Sequence, residues 1–192
     1  MKAYRNLPEG YQETLHIDIQ KDKKAALKVN IGGGIAMLAV LVAGHFIVPI
    51  ARFFDMSQLS DYFLRLAVLI FGYLLYAILH EFTHAVVMKA VGGGKVEFGF
   101  TGMYAFAGSH EDYFDKMSYR CIALAPLIVW GIVFSILSAI VPQTWFWIVW
   151  FLQAGNIGGA AGDVYVTGLL WNKPETILVR DTGVEMTVYD IM

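Results

Sequence analysis

The stretch LLYAILHEFTHAVVMKAV, residues 74–91, decides how the chain is interpreted, because an apolar helical run carries the pattern H-E-x-x-H at His80, Glu81 and His84. On a helix, residues four apart lie on one face, so both imidazoles can reach a single metal ion. Glu81, about 100° around the helix, can then face a water molecule at that ion. Catalytic zinc takes three protein ligands and keeps a fourth position for water, so a third ligand remains to be found.

A chance match is the alternative interpretation of this pattern, and its surroundings argue against it. Apolar residues run from Phe63 to Leu79 and resume at Ala85, so the three polar side chains lie inside a predicted membrane span. An ionisable residue at the centre of such a span costs roughly 2.5–3.5 kcal/mol on the insertion scale. We therefore expect a metal, a partner or a pathway at this position.

The composition is typical of a membrane protein. Of the 192 residues, 57% are hydrophobic and only 16% are charged. The net charge of -2 and the scattered basic residues do not indicate nucleic acid binding. The single cysteine, Cys121, excludes an intrachain disulfide and a cysteine-based zinc cluster. We interpret it as a small apolar residue near the end of a span.

Four apolar runs predict an all-α membrane protein with four transmembrane helices, since each is near or above the roughly 20 residues that a spanning helix needs. Their bounds are residues 29–50, 62–88, 119–141 and 144–171. We expect the first run to stay in the membrane and not to be a cleaved signal peptide. Basic residues concentrate before the first span, around the loop 89–118 and in the tail. The positive-inside rule therefore predicts a multi-pass protein of the cell membrane, with both termini in the cytoplasm.

Three further segments alternate apolar and polar residues, which predicts short strands and β-hairpins at the cytoplasmic surface of a single domain spanning residues 1–192. The segments are residues 11–19, 95–107 and 176–189. The second follows the helix stop Gly92-Gly93-Gly94, and its edge is a candidate to pair with an extended substrate, with packing against the spans as the alternative. The third turns at Asp181-Thr182-Gly183, with the N-terminal strand as a candidate partner.

The predicted fourth span supplies the preferred third ligand, Asp163. Asn156, Gly159 and Asp163 share one helical face, and small residues between Gly155 and Gly162 allow another helix to approach closely. Close approach matters because the aspartate side chain is short, so its helix backbone must lie near the metal. The alternative third ligands lie in the polar loop and are His110, Glu111, Asp112 and Asp115. Charged residues need no special explanation in such a loop, so Asp163 is preferred.

The two remaining histidines are not expected to bind a metal. His45 lies near the outer end of the first span, too far in depth from His80 to share a haem with it. We interpret His45 as a polar residue near the outer interface. His16 lies on the polar side of the N-terminal strand and is interpreted as a surface residue.

With HEFTH in one span and the stretch from Asn156 to Asp163 in a later one, the chain resembles the site-2 protease-like intramembrane zinc metalloproteases. It is most similar to their small bacterial relatives, the putative zincin peptidase family, formerly a domain of unknown function. The likeness runs from LPEGY through HEFTH, the glycine turn with its hairpin and Ala125-Pro126 to the aspartate span and the RDTGVEMTVY ending.

This resemblance implies a role for each residue of the site. His80, His84 and Asp163 would bind zinc, Glu81 would be the general base, and Asn156 would support the substrate or the transition state. Site-2 proteases carry an N-x-x-P-x-x-P-L-D-G type of motif. The present chain has no prolines there, and Val164 follows Asp163.

The expected function is therefore an intramembrane zinc metalloprotease that hydrolyses peptide bonds in or near membrane segments, with a Glu81-activated, zinc-bound water. Its partners would be a membrane protein or peptide substrate and the lipid bilayer. The alternative is a noncatalytic membrane protein that binds metal or recruits partners. A transporter fits less well, because the chain shows no internal repeat.

Overall fold

The computed structural model describes residues 1–19, 21–102 and 105–191, which are mostly helical with two small β-sheets. The chain forms two compact units. The first unit comprises Met1–Val29, His80–Ala125 and Gly162–Met192. The second unit comprises Asn30–Leu79 and Pro126–Ala161.

Five α-helices are present among the described residues, with one short 3₁₀ turn at Ile50–Arg52 after the first of them. They are α1 (Lys23–Ile47), α2 (Leu59–Ala90), α3 (Lys116–Ile140), α4 (Gln143–Gly159) and α5 (Ala161–Leu169). The helices α1, α2 and α3 are long and apolar enough to cross a membrane. Large apolar side chains such as Phe46, Phe71 and Ile140 are exposed on them, which is the kind of surface that a lipid bilayer covers.

Local sequence explains where the helices begin and end. The Asp22 carboxylate accepts hydrogen bonds from the Lys24 and Ala25 amides and so caps the start of α1. The helix α2 ends as the glycine run predicts. Gly92 has a φ of 95°, and the Gly93 amide donates to the Met88 carbonyl, which is the geometry of a Schellman cap.

The predicted fourth span, residues 144–171, is wrong as one continuous helix. The helix α4 ends at Gly159, Ala160 has a ψ of 6°, and α5 starts at Ala161. Three glycines surround this point, at 158, 159 and 162, and glycine is about 1 kcal/mol less favourable than alanine in a helix. The break therefore lies where the helical backbone is weakest, and it gives Asp163 a place in the first turn of a separate helix.

The predicted C-terminal hairpin pairs with the N-terminal strand, its candidate partner, and two short strands that the sequence did not predict extend them into one sheet. Its five antiparallel strands lie in the order β1-β5-β6-β7-β2. They are β1 (Ala3–Tyr4), β2 (Tyr11–Asp18), β5 (Tyr113–Asp115), β6 (Leu178–Asp181) and β7 (Glu185–Ile191). Apolar alternation shows that a segment is a strand but does not show which segment it pairs with, so the pairing of β2 with β7 was only a candidate and the places of β1 and β5 were not foreseen.

The second sheet is the two-stranded hairpin of β3 (Glu97–Phe100) and β4 (Ala105–Gly108). It lies within the predicted segment 95–107 except that β4 ends one residue beyond it, and residues 103 and 104 of the segment lie outside the described residues. The β3–β4 hairpin belongs to the first unit, together with the five-stranded sheet.

The core of the first unit packs this five-stranded sheet against three helix segments. Phe114, Val179 and Val188 from the sheet are fully buried. They belong to one cluster with Met88 of α2 and Ile122 of α3, and it also contains Val166 of α5 and Leu170 just after this helix. Because Met88 lies one helical turn beyond His84, this core fixes the position of the helix end that carries the H-E-x-x-H pattern.

The second unit is held together by close helix contacts and by aromatic side chains. A Cβ atom at Gly33 would lie 2.6 Å from the Gly158 carbonyl oxygen, so α1 and α4 approach more closely than any other residue would allow. A separate cluster contains Val48, Phe53, Phe146, Trp147 and Ile148.

Candidate metal centre

Three potential metal ligands converge in the first unit. The Nε2 atom of His80 lies 3.5 Å from one carboxylate oxygen of Asp163, and the Nε2 atom of His84 lies 3.7 Å from the other. One ligand atom from each residue can be chosen so that all three lie within 4.8 Å of one another. The end of α2 therefore supplies two nitrogen atoms, and the start of α5 supplies a carboxylate.

These separations fit a zinc ion. Donor atoms held about 2.0–2.2 Å from a tetrahedral zinc ion lie about 3.3–3.6 Å from one another. Each N···O distance, measured to a different oxygen of Asp163, is near this value and exceeds the 2.7–3.2 Å of a direct hydrogen bond. Two imidazoles and one carboxylate are also a donor set that catalytic zinc sites use.

His84 is held in the orientation that a metal ligand needs. Its Nδ1 atom lies 2.9 Å from the main-chain carbonyl oxygen of Ile122 in α3. A carbonyl only accepts, so Nδ1 must carry the proton and donate it. In the neutral ring this places the lone pair on Nε2, the atom that faces Asp163.

Glu81 lies beside the three ligands and contacts the β3–β4 hairpin. Its carboxylate accepts a hydrogen bond from the Ala107 amide of β4 and interacts electrostatically with His80, His84 and Asp163. The side chain is half-buried. A carboxylate in this place can exchange a proton with a group at the metal position, which is what a general base requires.

The β3–β4 hairpin is itself anchored by the turn between β6 and β7. The Ser109 amide donates to the Asp181 carbonyl over 2.7 Å. A Cβ atom at Gly108 would lie 2.1 Å from the carbonyl carbon of Thr182, so only glycine fits there. The turn at Asp181-Thr182-Gly183, predicted as a hairpin turn, therefore also holds the strand that contacts Glu81.

Asp181 has a second role inside the first unit. Its carboxylate accepts hydrogen bonds from the Tyr119 hydroxyl over 2.8 Å and from the Gly183 amide over 2.7 Å. Burial raises the pKa of the Asp181 carboxyl, although both of these hydrogen bonds act in the opposite direction. This carboxyl fixes the turn on which the β3–β4 hairpin rests.

The loop residues considered as alternative ligands have other surroundings. Asp112 accepts hydrogen bonds from the Gly94 amide and the Ser109 hydroxyl, and Asp115 accepts one from the Ser118 amide at the start of α3. The Nδ1 atom of His110 lies 3.4 Å from a carboxylate oxygen of Glu97, and both side chains are exposed. Among residues 1–19, 21–102 and 105–191, the only group of three or more potential ligands is His80, His84 and Asp163, and Glu111 does not belong to it.

Asn156 lies in α4 of the second unit and is completely buried. Its side-chain oxygen accepts a hydrogen bond from the Tyr76 hydroxyl over 2.7 Å, and its side-chain nitrogen donates to the Leu127 carbonyl over 3.1 Å. It is not one of the converging ligands. Its support of substrate or transition state stays a prediction.

The other two histidines also have identifiable partners. The Nδ1 atom of His45 accepts a hydrogen bond from the Ile50 amide just after α1. His16 lies on β2, with Nδ1 3.2 Å from the Thr187 hydroxyl of the neighbouring strand. Neither histidine belongs to the cluster of potential ligands.

Fold and site together define a protein with membrane-length helices and a possible His-His-Asp metal site. A family model described as "Putative zincin peptidase" matches residues 73–178, just over half of the chain, and this range contains His80, Glu81, His84 and Asp163. The chain belongs to this family, which confirms the predicted membership of the putative zincin peptidase family. No curated protein and no solved structure matches the chain.

Proposed function

We propose that the protein is an intramembrane zinc metalloprotease of the site-2 protease type, which hydrolyses peptide bonds in or near membrane segments. The observation that carries the proposal is the convergence of His80, His84 and Asp163 with Glu81 beside them. Membership of a family described as zincin peptidases supports the same conclusion.

The residues of the site have distinct tasks in this reaction. His80, His84 and Asp163 would hold zinc, which would supply the Lewis acidity that lowers the pKa of a water molecule toward neutrality. The Glu81 carboxylate would take a proton from the attacking water and pass it to the leaving amine. The Ala107 amide would keep this carboxylate aimed at the reacting water, since it donates to Glu81.

The substrate would reach the site as an extended segment. A peptide bond inside a helix is hydrogen-bonded and shielded, so it must be unwound before attack. The β3–β4 hairpin contacts Glu81 through Ala107, and Phe98 and Phe100 on β3 are exposed. We propose that an unwound substrate strand pairs with an edge of this hairpin.

The protein would be a multi-pass protein of the cell membrane. The helices α1, α2 and α3 would each cross the bilayer, and α4 with α5 would form the fourth, interrupted crossing. Both termini would face the cytoplasm, because Lys21, Lys23, Lys24 and Lys28 cluster at the start of α1.

The decisive experiment replaces the proposed base and keeps the ligands. Membranes are incubated with the purified protein or with Glu81→Gln, and new N-termini are identified by terminal labelling and mass spectrometry. We expect Glu81→Gln to retain about one zinc per chain and to lower cleavage by about 10²–10⁴-fold. Glu111→Gln, which changes an exposed loop acid, is the matched control and should cleave normally.

The alternative is a noncatalytic membrane protein that binds metal, and the same experiment separates the two. If identical new N-termini appear with the wild-type protein and with Glu81→Gln, or none appear with either, then the protease proposal is wrong. Zinc that remains bound in both cases would then indicate a metal-binding protein without this chemistry.

A further inference from the structure

The hydrogen bond that orients His84 requires a main-chain carbonyl inside a helix to be available. In an α-helix the carbonyl of residue i accepts from the amide of residue i+4. For Ile122 in α3, that residue is Pro126, which has no amide hydrogen. The Ile122 carbonyl therefore lacks its helical donor.

The surroundings of this carbonyl leave little room for water. Ile122 is 1% exposed and His84 is 8% exposed. A buried carbonyl without a donor costs free energy, and so does a buried imidazole N–H without an acceptor. The 2.9 Å contact between Nδ1 of His84 and the Ile122 oxygen satisfies both groups at once.

We propose that Pro126 is a positioning residue for the metal centre. By lacking an amide hydrogen, it leaves the Ile122 carbonyl to hold His84 in the tautomer with the proton on Nδ1 and the lone pair on Nε2. The part of this inference that concerns zinc rests on the proposed function. The part that concerns the tautomer stands on the metal-free protein alone.

A change to alanine separates this role from a structural one. Pro126→Ala restores an amide that competes for the Ile122 carbonyl, and it also removes a residue that disfavours helix interiors. If Pro126 only shapes α3, then the variant should be more heat-stable and should bind metal normally. If Pro126 positions His84, the variant should bind zinc about 10-fold more weakly. This loss is at the lower end of the range for outer-shell partners, because the Ile122 carbonyl can still accept a second hydrogen bond.

The first readout is the His84 tautomer in the metal-free protein. Imidazole ¹⁵N shifts and two-bond ¹H–¹⁵N correlations are recorded on ¹⁵N-histidine-labelled protein in detergent, at a pH where the rings are neutral. His84→Asn identifies the signals. We expect the Nδ1–H form in the wild type and a larger fraction of the Nε2–H form in Pro126→Ala. Zinc affinity by competition with a chromophoric chelator is the second readout.

Two further proteins control for the backbone change. Pro142→Ala alters a proline that precedes α4 and should leave the tautomer and the zinc affinity unchanged. An ester at position 126, made by incorporating lactic acid, lacks both the proline ring and the amide hydrogen. It should behave like the wild type, because the inference depends on the missing donor and not on the ring.

The inference is overturned by an Nε2–H tautomer of His84 in the wild type. It is equally overturned if Pro126→Ala keeps the wild-type tautomer and affinity, or if the ester behaves like alanine. Should Pro126→Ala fail to fold, the ester still decides, since it keeps the donor absent. A wild-type protein that binds no zinc but shows the expected tautomers would refute the proposed function and the zinc part of this inference, and would leave the part that concerns the tautomer standing.

Discussion

The metal centre and the buried polar group around Asn156 both place polar side chains among apolar residues, but their atoms are arranged differently. At the metal centre, histidine nitrogens and aspartate oxygens face each other at 3.5 and 3.7 Å. In the Asn156 group, formed by Asn156, the Tyr76 hydroxyl and the Leu127 carbonyl, the atoms lie 2.7 and 3.1 Å apart. The second set is hydrogen-bonded, whereas in the first set one potential ligand atom of each residue lies within 4.8 Å of the other two.

This difference teaches how the two kinds of buried polar group can be told apart. Mutual hydrogen bonds satisfy polar atoms in an apolar surrounding, so the Asn156 group needs no ligand to explain it. A carboxylate and two imidazoles that stop short of hydrogen-bonding distance fit a cation. The predictions below test this distinction, because loss of a metal ligand and loss of a packing partner should have different consequences.

The largest effect is expected at the ligands. Structural zinc binds with about 10–16 kcal/mol, so each of three or four ligands accounts for about 2.5–5 kcal/mol, or about 10²–10⁴-fold in affinity. We expect His84→Ala and Asp163→Ala to lower the zinc affinity by this factor. The measurement is zinc competition titration in detergent, with elemental analysis of the purified variants.

A control tests whether the loss is specific to the ligand set. Asp115→Ala removes an acid that lies outside the cluster and should leave the zinc affinity unchanged. A contrary result would be that Asp163→Ala keeps the wild-type zinc affinity, whereas Asp112→Ala or Asp115→Ala loses it. The third ligand would then lie in the loop, and Asp163 would not belong to the metal centre.

The next effect is expected in the Asn156 group. Asn156→Ala removes a donor and an acceptor and leaves the Tyr76 hydroxyl and the Leu127 carbonyl without these partners. We expect it to lower the free energy of unfolding by about 1–3 kcal/mol and to leave the zinc affinity unchanged. Reversible unfolding in mixed micelles and zinc titration of the same preparation measure the two quantities.

The opposite pattern would change the interpretation of Asn156. If Asn156→Ala is as stable as the wild type but cleaves substrate poorly, then the amide supports the reaction, as the family resemblance implies. The hydrogen bonds seen in the structure would then serve to aim the side chain.

The sequence predicted the parts of this molecule that depend on local pattern. Residues four apart on an apolar helix specified His80 and His84, and the glycine run at 92–94 predicted a helix stop just beyond Ala90, where α2 ends. The prediction that Asp163 meets the two histidines rested on close helix approach, and the structure does bring these three residues together.

The remaining features depend on pairs of residues that are distant in the chain. The pairing of β5 with β6 is not readable from alternation, because alternation specifies a face and not a neighbour. For the same reason the pairing of β2 with β7, which the structure shows, was only a candidate at the level of sequence. The contact of Ala107 with Glu81 belongs to the same class. Pro126 leaves the Ile122 carbonyl without its helical donor, but nothing in the sequence indicated that His84 would be the partner of this carbonyl.

The smallest effect sharpens the comparison within the Asn156 group itself. Tyr76→Phe removes only the hydroxyl that donates to Asn156, and the ring keeps its edge-on contact with Phe134. Hydrogen bonds between membrane helices average about 0.6 kcal/mol in double-mutant cycles, so we expect a loss of about 0.5–1 kcal/mol in the free energy of unfolding. Tyr62→Phe, a hydroxyl removal on the same helix outside the Asn156 group, is the control. A double-mutant cycle with Asn156→Ala should show that the two losses are not additive, because both variants break the same bond. Additive losses, or a weaker zinc affinity in Tyr76→Phe, would mean that the group does more than pack, and the contrast with the metal centre would fail.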